Sequence, residues 1–254
     1  MLLAIDVGNT QTHIGAFDGE RLVEHWRLAT DVEDTADELA VRVSSLLGLR
    51  GAELRSVEGS IISSVVPRLT PEYARMCADY LEGPAVMVGP GVRTGMAVRL
   101  DNPHELGADR LVNAVAAFEK YGGPCAVVDF GTAITFDAIS AEGEYLGGVI
   151  GPGVQISMEA LTEKAARLPN VDLAEPGSVI GRTTQASIQS GIVYGFAGAI
   201  DAIGRRMAAE MGAGTTFVAT GGGASAIVPY CDTEMEIDDL LTLDGLRLIW
   251  DRNK

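Results

Sequence analysis

Apolar residues follow two rhythms along this chain. Leu2 to Ile5 form a short apolar run that stops at Asp6, and residues 12–30 alternate apolar and polar positions about Asp18-Gly19. The first predicts a buried strand and the second a β-hairpin with a tight turn. Apolar residues then recur at helical spacing over Thr35–Leu49, with acidic residues in the first turn, which predicts a helix. Ser60–Val66 reads as a strand stopped by Pro67. Thr70 is expected to cap a second helix through Leu81, with Pro71 at its first position, and Val86–Val88 reads as a further short strand. Helical spacing returns over Ala108–Tyr121. Ala126–Asp129, Ala133–Ala138 and Glu144–Val149 read as strands, the last two around a turn at Glu142-Gly143. Helices are expected over Ile156–Leu168 and Thr184–Met211, the latter with small residues on its apolar face that suit close packing. Thr216–Thr220 is a strand running into Gly221-Gly222-Gly223.

The two halves repeat one another. DVGNT (6–10) and DFGTAIT (129–135) each follow an apolar strand, and each leads into a second strand, an acidic-Gly turn and a third strand. This order signals two copies of one α/β unit, with a period far too long for a solenoid. The expected division is 1–115 and 116–254, with Gly122-Gly123-Pro124 as a boundary and helix 108–121 bridging the lobes.

Composition narrows the class. The chain has 254 residues, 47% apolar and 21% charged, enough for a large core and too apolar for disorder. No apolar stretch approaches the ~20 residues of a membrane helix, and MLLAIDVGNT has no basic leader region, so no membrane partner is expected. Cys77, Cys125 and Cys231 are isolated, without metal spacing, and suit packing in a reducing cytoplasm. A net charge of −16 opposes nucleic-acid binding, which needs a basic footprint. It leaves room for an anionic small molecule, because charges farther away than a Debye length of ~8 Å are largely screened and a few local cations and backbone donors decide.

The repeated turns point to phosphate. A glycine after a strand lets backbone N–H groups approach a ligand, and Asn or Thr beside it adds donors. An Asp at the strand end can hold a hard cation that bridges phosphate oxygens. No GxxxxGK[ST] occurs, so this is not a P-loop. The stretch DNPHELGADRLVNA (101–114) carries different chemistry. Asp109-Arg110 opens a helix, and the pair reads either as a helix-start acid with a surface ion partner or as a general base beside an anion clamp.

Paired DxG(N)T turns followed by TFVATGGGAS (216–225) resemble the actin and hexokinase superfamily. Together with NPHELGADR, GGVIGPG (147–153) and VIGRTTQASIQSG (179–191), the chain resembles the type III pantothenate kinases along nearly its whole length. The resemblance implies an α/β fold of two duplicated ribonuclease-H-like (actin-like ATPase) lobes, each a mixed sheet with flanking helices, with an ATP cleft between them. It also implies ATP-dependent phosphorylation of pantothenate to 4'-phosphopantothenate, the first step of coenzyme A synthesis, in a cytoplasmic homodimer.

Carried over residue by residue, it implies that Asp6, Val7, Gly8, Asn9, Thr10, Gln11, Thr12 and His13 form the first phosphate loop, with Asp6 meeting Mg²⁺ through phosphate. Asp129 would bind a monovalent cation, K⁺ or NH₄⁺. Thr132 would contact phosphate, and Gly221 and Gly222 the adenosine. Asp109 would be the general base, with Leu100, Gly107, Ala108 and Arg110 lining the pantothenate pocket and Thr184 reaching it from the dimer partner. Many members carry Tyr where this chain has Leu100. Two other readings share the cradle: a kinase of another small polyol, and a regulatory homologue that binds nucleotide without transfer. His25 and His104 lack metal partners at ligand spacing, Ser63-Ser64 lacks a nucleophile elbow, Lys164 and Arg167 read as a solvated helix face, and Trp26 and Trp250 read as packing residues.

Overall fold

The structure is a computed structural model that describes residues 1–165, 168–212 and 214–254. They divide into two compact units, one of 1–96, 100–116 and 240–254, the other of 97–99 and 117–239.

The first unit is built on β1 (Leu2–Val7), β2 (Gln11–Asp18), β3 (Arg21–Ala29), α1 (Ala36–Gly48), β4 (Gly59–Ser64), α2 (Thr70–Tyr80) and β5 (Ala85–Met87). The sheet order is β3-β2-β1-β4-β5, with β1 antiparallel to β2 and parallel to β4. Strand alternation sorts β1 between two cores. Leu3, Ile5 and Val7 join Leu39, Val43, Tyr73 and Met76 under α1 and α2. Leu2 and Ala4 face the other way and join Val112, Val115, Leu243 and Leu246. Each fully buried Leu or Ile contributes roughly 1.5–3 kcal/mol, so a register slip of one residue would exchange the faces and lose both sets. Thr35 closes α1 with a capping box to Glu38.

The second unit holds β6 (Ala97–Val98), β7 (Cys125–Phe130), β8 (Ala133–Ile139), β9 (Glu144–Pro152), α4 (Val154–Lys164), α5 (Thr184–Met211), β10 (Thr216–Thr220), α6 (Ala224–Ile227) and β11 (Glu236–Ile237). Its sheet runs β11-β10-β7-β8-β9-β6. Without β6, strand order and direction reproduce the first sheet: β7 is antiparallel to β8 and parallel to β10. Ala126, Val128, Phe130, Ile134 and Phe136 pack against Val193, Ala197 and Ile200 of α5. Asp201, almost wholly buried on α5, accepts from Asp232 N at 2.9 Å and Thr233 N at 2.8 Å, tying the loop before β11 to this helix.

The helix α3 (Ala108–Tyr121) belongs to the first unit through Ala116 and to the second from Ala117. The sequence division at 115/116 differs from the observed one at the C-terminus. There α7 (Leu241–Asp251) buries Leu243, Leu246 and Ile249 in the same core as Leu2 and Ala4, and returns the last residues to the first unit. Smaller differences are local. The strand expected to Val66 ends at Ser64, where the Ser64 hydroxyl turns the chain by accepting from Val66 N at 3.2 Å. Leu69, without a side-chain bond, occupies the cap position expected of Thr70, whose hydroxyl instead donates to Ser64 Oγ and Val66 O. The helix expected from Ile156 starts at Val154 and closes at Lys164; Arg167 lies outside the described residues. Trp26 and Trp250 both pack at the edge of a core. Among the described residues no helix is long and apolar enough to cross a membrane.

Candidate active site

In the first unit the site grows out of the register of β1. Directly opposed residues share a sheet face, and Asp6 pairs with His13 on β2 and with Ser63 on β4. Asp6 follows Leu2 and Ala4 in the alternation, so it faces the layer where α3 packs. That is why the start of α3 and the end of β1 influence each other. The carboxyl of Asp6 is pushed up from its ordinary 3.8 to about 7, chiefly by burial, against a bond from the Ser63 hydroxyl and with a further push from the charge of Asp109. Ser63 Oγ lies 2.5 Å from Asp6 Oδ1. Asp109 is half-buried one residue into α3. Burial raises its pKa, while the N–H of Arg110, 2.8 Å from Oδ1, and the Arg110 guanidinium oppose the shift. Gly107 precedes it with no side chain, and a Cβ there would sit 2.5 Å from Asp109 Oδ1.

The turn after β1 is exposed at Asn9, Thr10 and Gln11. Thr30 anchors it from β3's end: its hydroxyl donates to Gly8 O at 2.8 Å and its N–H to Thr10 O at 3.0 Å. Val7 and Thr12 are buried, Val7 in the core and Thr12 with its hydroxyl 3.0 Å from that of Thr30. Their side chains therefore shape the loop, and any contact from Val7 to a ligand falls to its backbone. His13 is half-buried in β2 on the Asp6 rung, not in the turn. Leu100, Ala108 and Arg110 are each half-buried.

In the second unit three backbone segments converge. Gly221 has φ +88°, and a Cβ there would lie 2.4 Å from Asp129 Oδ1 and 2.8 Å from the backbone of Phe130. A residue with a side chain would meet both the left-handed strain and the carboxylate. Gly153 opens α4 without a side-chain cap, and its N–H donates to Thr132 O at 3.1 Å; a Cβ there would lie 2.3 Å from that oxygen. The exposed Gly131-Thr132 turn thus sits against the uncapped end of α4, whose free N–H groups and dipole favour an anion. Gly222, next to Gly221 in the chain, is exposed. Thr184, the first residue of α5, is exposed, and Thr183 supplies the cap by accepting from Ala186 N at 3.1 Å.

Such a pairing of acidic strand ends with glycine turns is shared by many phosphate-handling folds, and similarity decides among them. The type III pantothenate kinase family model matches residues 2–206. The chain is 50% identical over 253 residues to the type III pantothenate kinase of Moorella thermoacetica, covering all of both chains. It is 52% identical over 261 residues to that of Streptomyces griseus, covering all of this chain and 98% of the other. The chain belongs to the type III pantothenate kinase family.

Solved structures give this kinase its fold class. A protein assigned to the Baf family of transcriptional activators from Campylobacter jejuni superposes with a TM-score of 0.59 at 20% identity, covering 99% of this chain and 98% of the other. The ROK hexokinase of Thermus thermophilus superposes with a TM-score of 0.51 at 15% identity, covering 100% and 99%. The fold is that of the two-lobed, actin-like ATPases. Of the kinase's site-shaping residues, Ser63, Thr30 and Gly153 carried no sequence assignment. Gly153 stood within a quoted motif, but its close approach to Thr132 O depends on strand order. Ser63 directly follows the apolar Ile61-Ile62 pair, and that position marks a buried hydroxyl in need of a partner.

Proposed function

We propose that this enzyme transfers the γ-phosphoryl group of ATP to the primary hydroxyl of pantothenate, with Asp109 as general base. The observation that carries the assignment is Asp109 itself: a carboxylate held by its own helix's N–H, next to Arg110, with burial raising its pKa above the ordinary carboxylate value. It takes the hydroxyl proton as the oxygen attacks phosphorus. Arg110 balances charge around the acceptor, which is itself a carboxylate. Gly107 leaves the approach to Asp109 open. Leu100 gives the pocket an apolar wall without the hydroxyl that a Tyr would bring.

The donor side is supplied by Asn9, Thr10 and the backbone of the first turn, and by Gly131, Thr132, Gly153, Gly221 and Gly222 in the second unit. Positioning and electrostatics carry most of phosphoryl transfer, and both are built from rigid strand ends here. Among the described residues no group of three His, Cys, Asp or Glu could hold a metal by itself. That donor set fits a Mg²⁺ ion carried by the nucleotide and met by Asp6, rather than one resident in the apoprotein. Mg²⁺ neutralises charge on the phosphate oxygens when bound. Asp129 is proposed as the ligand of a monovalent cation, K⁺ or NH₄⁺. A homodimer is proposed through the second unit, where Leu146, Ile150, Ile156, Val179 and Ile180 are exposed and where Gly191, Gly195 and Gly198 leave open space along α5. Thr184 would then reach a partner's acceptor pocket. A reducing cytoplasm suits Cys77, Cys125 and Cys231, all free.

ADP release measured with and without pantothenate, and with and without K⁺, tests this reading. Pantothenate-dependent release that requires K⁺ supports it. ATP turnover that ignores pantothenate under every cation, or nucleotide binding with no turnover, would defeat it. Sedimentation as a monomer alone would remove Thr184 from the site.

A further inference from the structure

Ser63 and Ser64 are neighbours with unlike duties. Ser64 is half-buried and closes the local turn, accepting from Val66 N and from the Thr70 hydroxyl. Ser63 is fully buried and takes no part in that turn; its hydroxyl donates to Asp6 Oδ1 at 2.5 Å. A buried hydroxyl without a partner costs about 1–3 kcal/mol, and the same face of β4 continues through apolar Ile61. Packing alone would favour Ala there. The bond engages one carboxylate oxygen and so sets the rotation of the Asp6 carboxyl and the direction of the other oxygen.

The duplicated unit repeats the arrangement. On the strand parallel to β7, Thr220 occupies the rung of Asp129, as Ser63 occupies the rung of Asp6. Thr220 is also buried. A buried hydroxyl residue beside each motif aspartate, on the corresponding strand of both sheets, makes the pairing a property of the module rather than an accident of one core.

We propose that Ser63 is a positioning residue for phosphoryl transfer, acting through Asp6: its hydroxyl holds the carboxylate in the orientation used toward metal-bound phosphate. This rests on the kinase reading above, and the test separates the two. Ser63→Ala and Ser63→Thr are made in the full-length enzyme, alone and with Asp6→Ala. Each is measured for kcat and KM for pantothenate, for binding of a fluorescent ATP analogue as a function of Mg²⁺, and for thermal melting.

Loss of one charge-assisted bond made in the transition state predicts a kcat for Ser63→Ala lower by roughly 10-fold or more. KM for pantothenate stays within about 2-fold, and more Mg²⁺ is needed for half-maximal nucleotide binding. Ser63→Thr, which keeps the hydroxyl, recovers most of the loss. In the Asp6→Ala background, which has no acceptor for the hydroxyl, Ser63→Ala has no further effect on the Mg²⁺ dependence of nucleotide binding, because its route is gone. Unchanged kcat and Mg²⁺ dependence in Ser63→Ala would overturn the proposal. So would equal losses in Ala and Thr variants that track melting, or an undiminished effect of Ser63→Ala on Mg²⁺-dependent nucleotide binding in the Asp6→Ala background. A wild type that binds the nucleotide but never phosphorylates pantothenate defeats the kinase reading instead, and the Mg²⁺ titration still decides whether Ser63 acts through Asp6.

Discussion

Asp6→Asn should make the apoenzyme more stable at alkaline pH while abolishing its activity. The carboxyl of Asp6 is carried from 3.8 to about 7, mainly by burial, with the charge of Asp109 adding to the shift. The folded chain therefore holds this proton more tightly than the unfolded chain does. Between 3.8 and about 7 the folded state binds more protons, so stability falls as pH rises through that window and levels off above it. Each tenfold change in proton affinity is worth about 1.4 kcal/mol, which sets the cost of ionised Asp6 at up to about 4 kcal/mol at pH 8.5. Asn is neutral throughout and still offers Oδ1 to the Ser63 hydroxyl, so it removes the charge and keeps the bond. At ~2–4 °C per kcal/mol for a chain of this size, the melting temperature should rise by about 5–15 °C at pH 8.5 without nucleotide. The gain should shrink to about 1–2 kcal/mol, or roughly 2–7 °C, at pH 5 and vanish only below 3.8, where Asp6 is protonated in both the folded and the unfolded chain. Thermal melting of both proteins across that range, followed by circular dichroism, reads the effect. A variant no more stable than wild type at pH 8.5, or a gain equal at both pH values, would refute the reasoning. Stability given up at a functional carboxylate is the expected signature of a site built for its ligand.

Four further outcomes follow from the same geometry. Asp109→Asn should lower kcat at least ~100-fold with melting unchanged or raised, and wild-type-like turnover would remove it as the base. Gly221→Ala should weaken nucleotide binding at least ~10-fold and destabilise by more than about 1 kcal/mol, because the new methyl group meets Asp129 Oδ1 and φ is +88°; equilibrium titration with an ATP analogue checks it. Asp201→Ala should cost about 2–4 kcal/mol in urea unfolding by stranding the N–H groups of Asp232 and Thr233. Burial pushes the Asp201 pKa up, but those donors outweigh it and hold it below 3.8, so the contribution is present above 3.8 and fades as pH falls through the lowered value. Leu100→Tyr should lower KM for pantothenate several-fold with kcat unchanged, as one added neutral hydrogen bond implies, and steady-state kinetics would show it.

Much of this protein was legible in its sequence because the signals are local. Alternation about Asp18-Gly19 and Glu142-Gly143 marked both hairpins, and 3.6-residue spacing marked α3 and α5 with their observed bounds. The repeated strand-Asp-x-Gly motif announced duplication, and the paired sheet orders bear it out. The C-terminal helix α7 escaped notice, since Gly245 interrupts its pattern and its apolar face has meaning only against Leu2, Ala4 and Val112.

The sequence by itself determined which residue types stand at the ends of which strands, and through GADR and its companion motifs the family to which the chain belongs. It could not say that Asp6 would be half-buried beside a serine 57 positions away, or that Asp109 would raise its proton affinity. It could not say that Gly153 and Gly221 would close on the Thr132 turn and on Asp129. Those facts depend on β4 lying parallel to β1, β10 parallel to β7, and α3 covering the face that Asp6 shares with Leu2 and Ala4. Burial and electrostatic coupling act through distance in space, and pairing between distant strands is what converts separation along the chain into that distance.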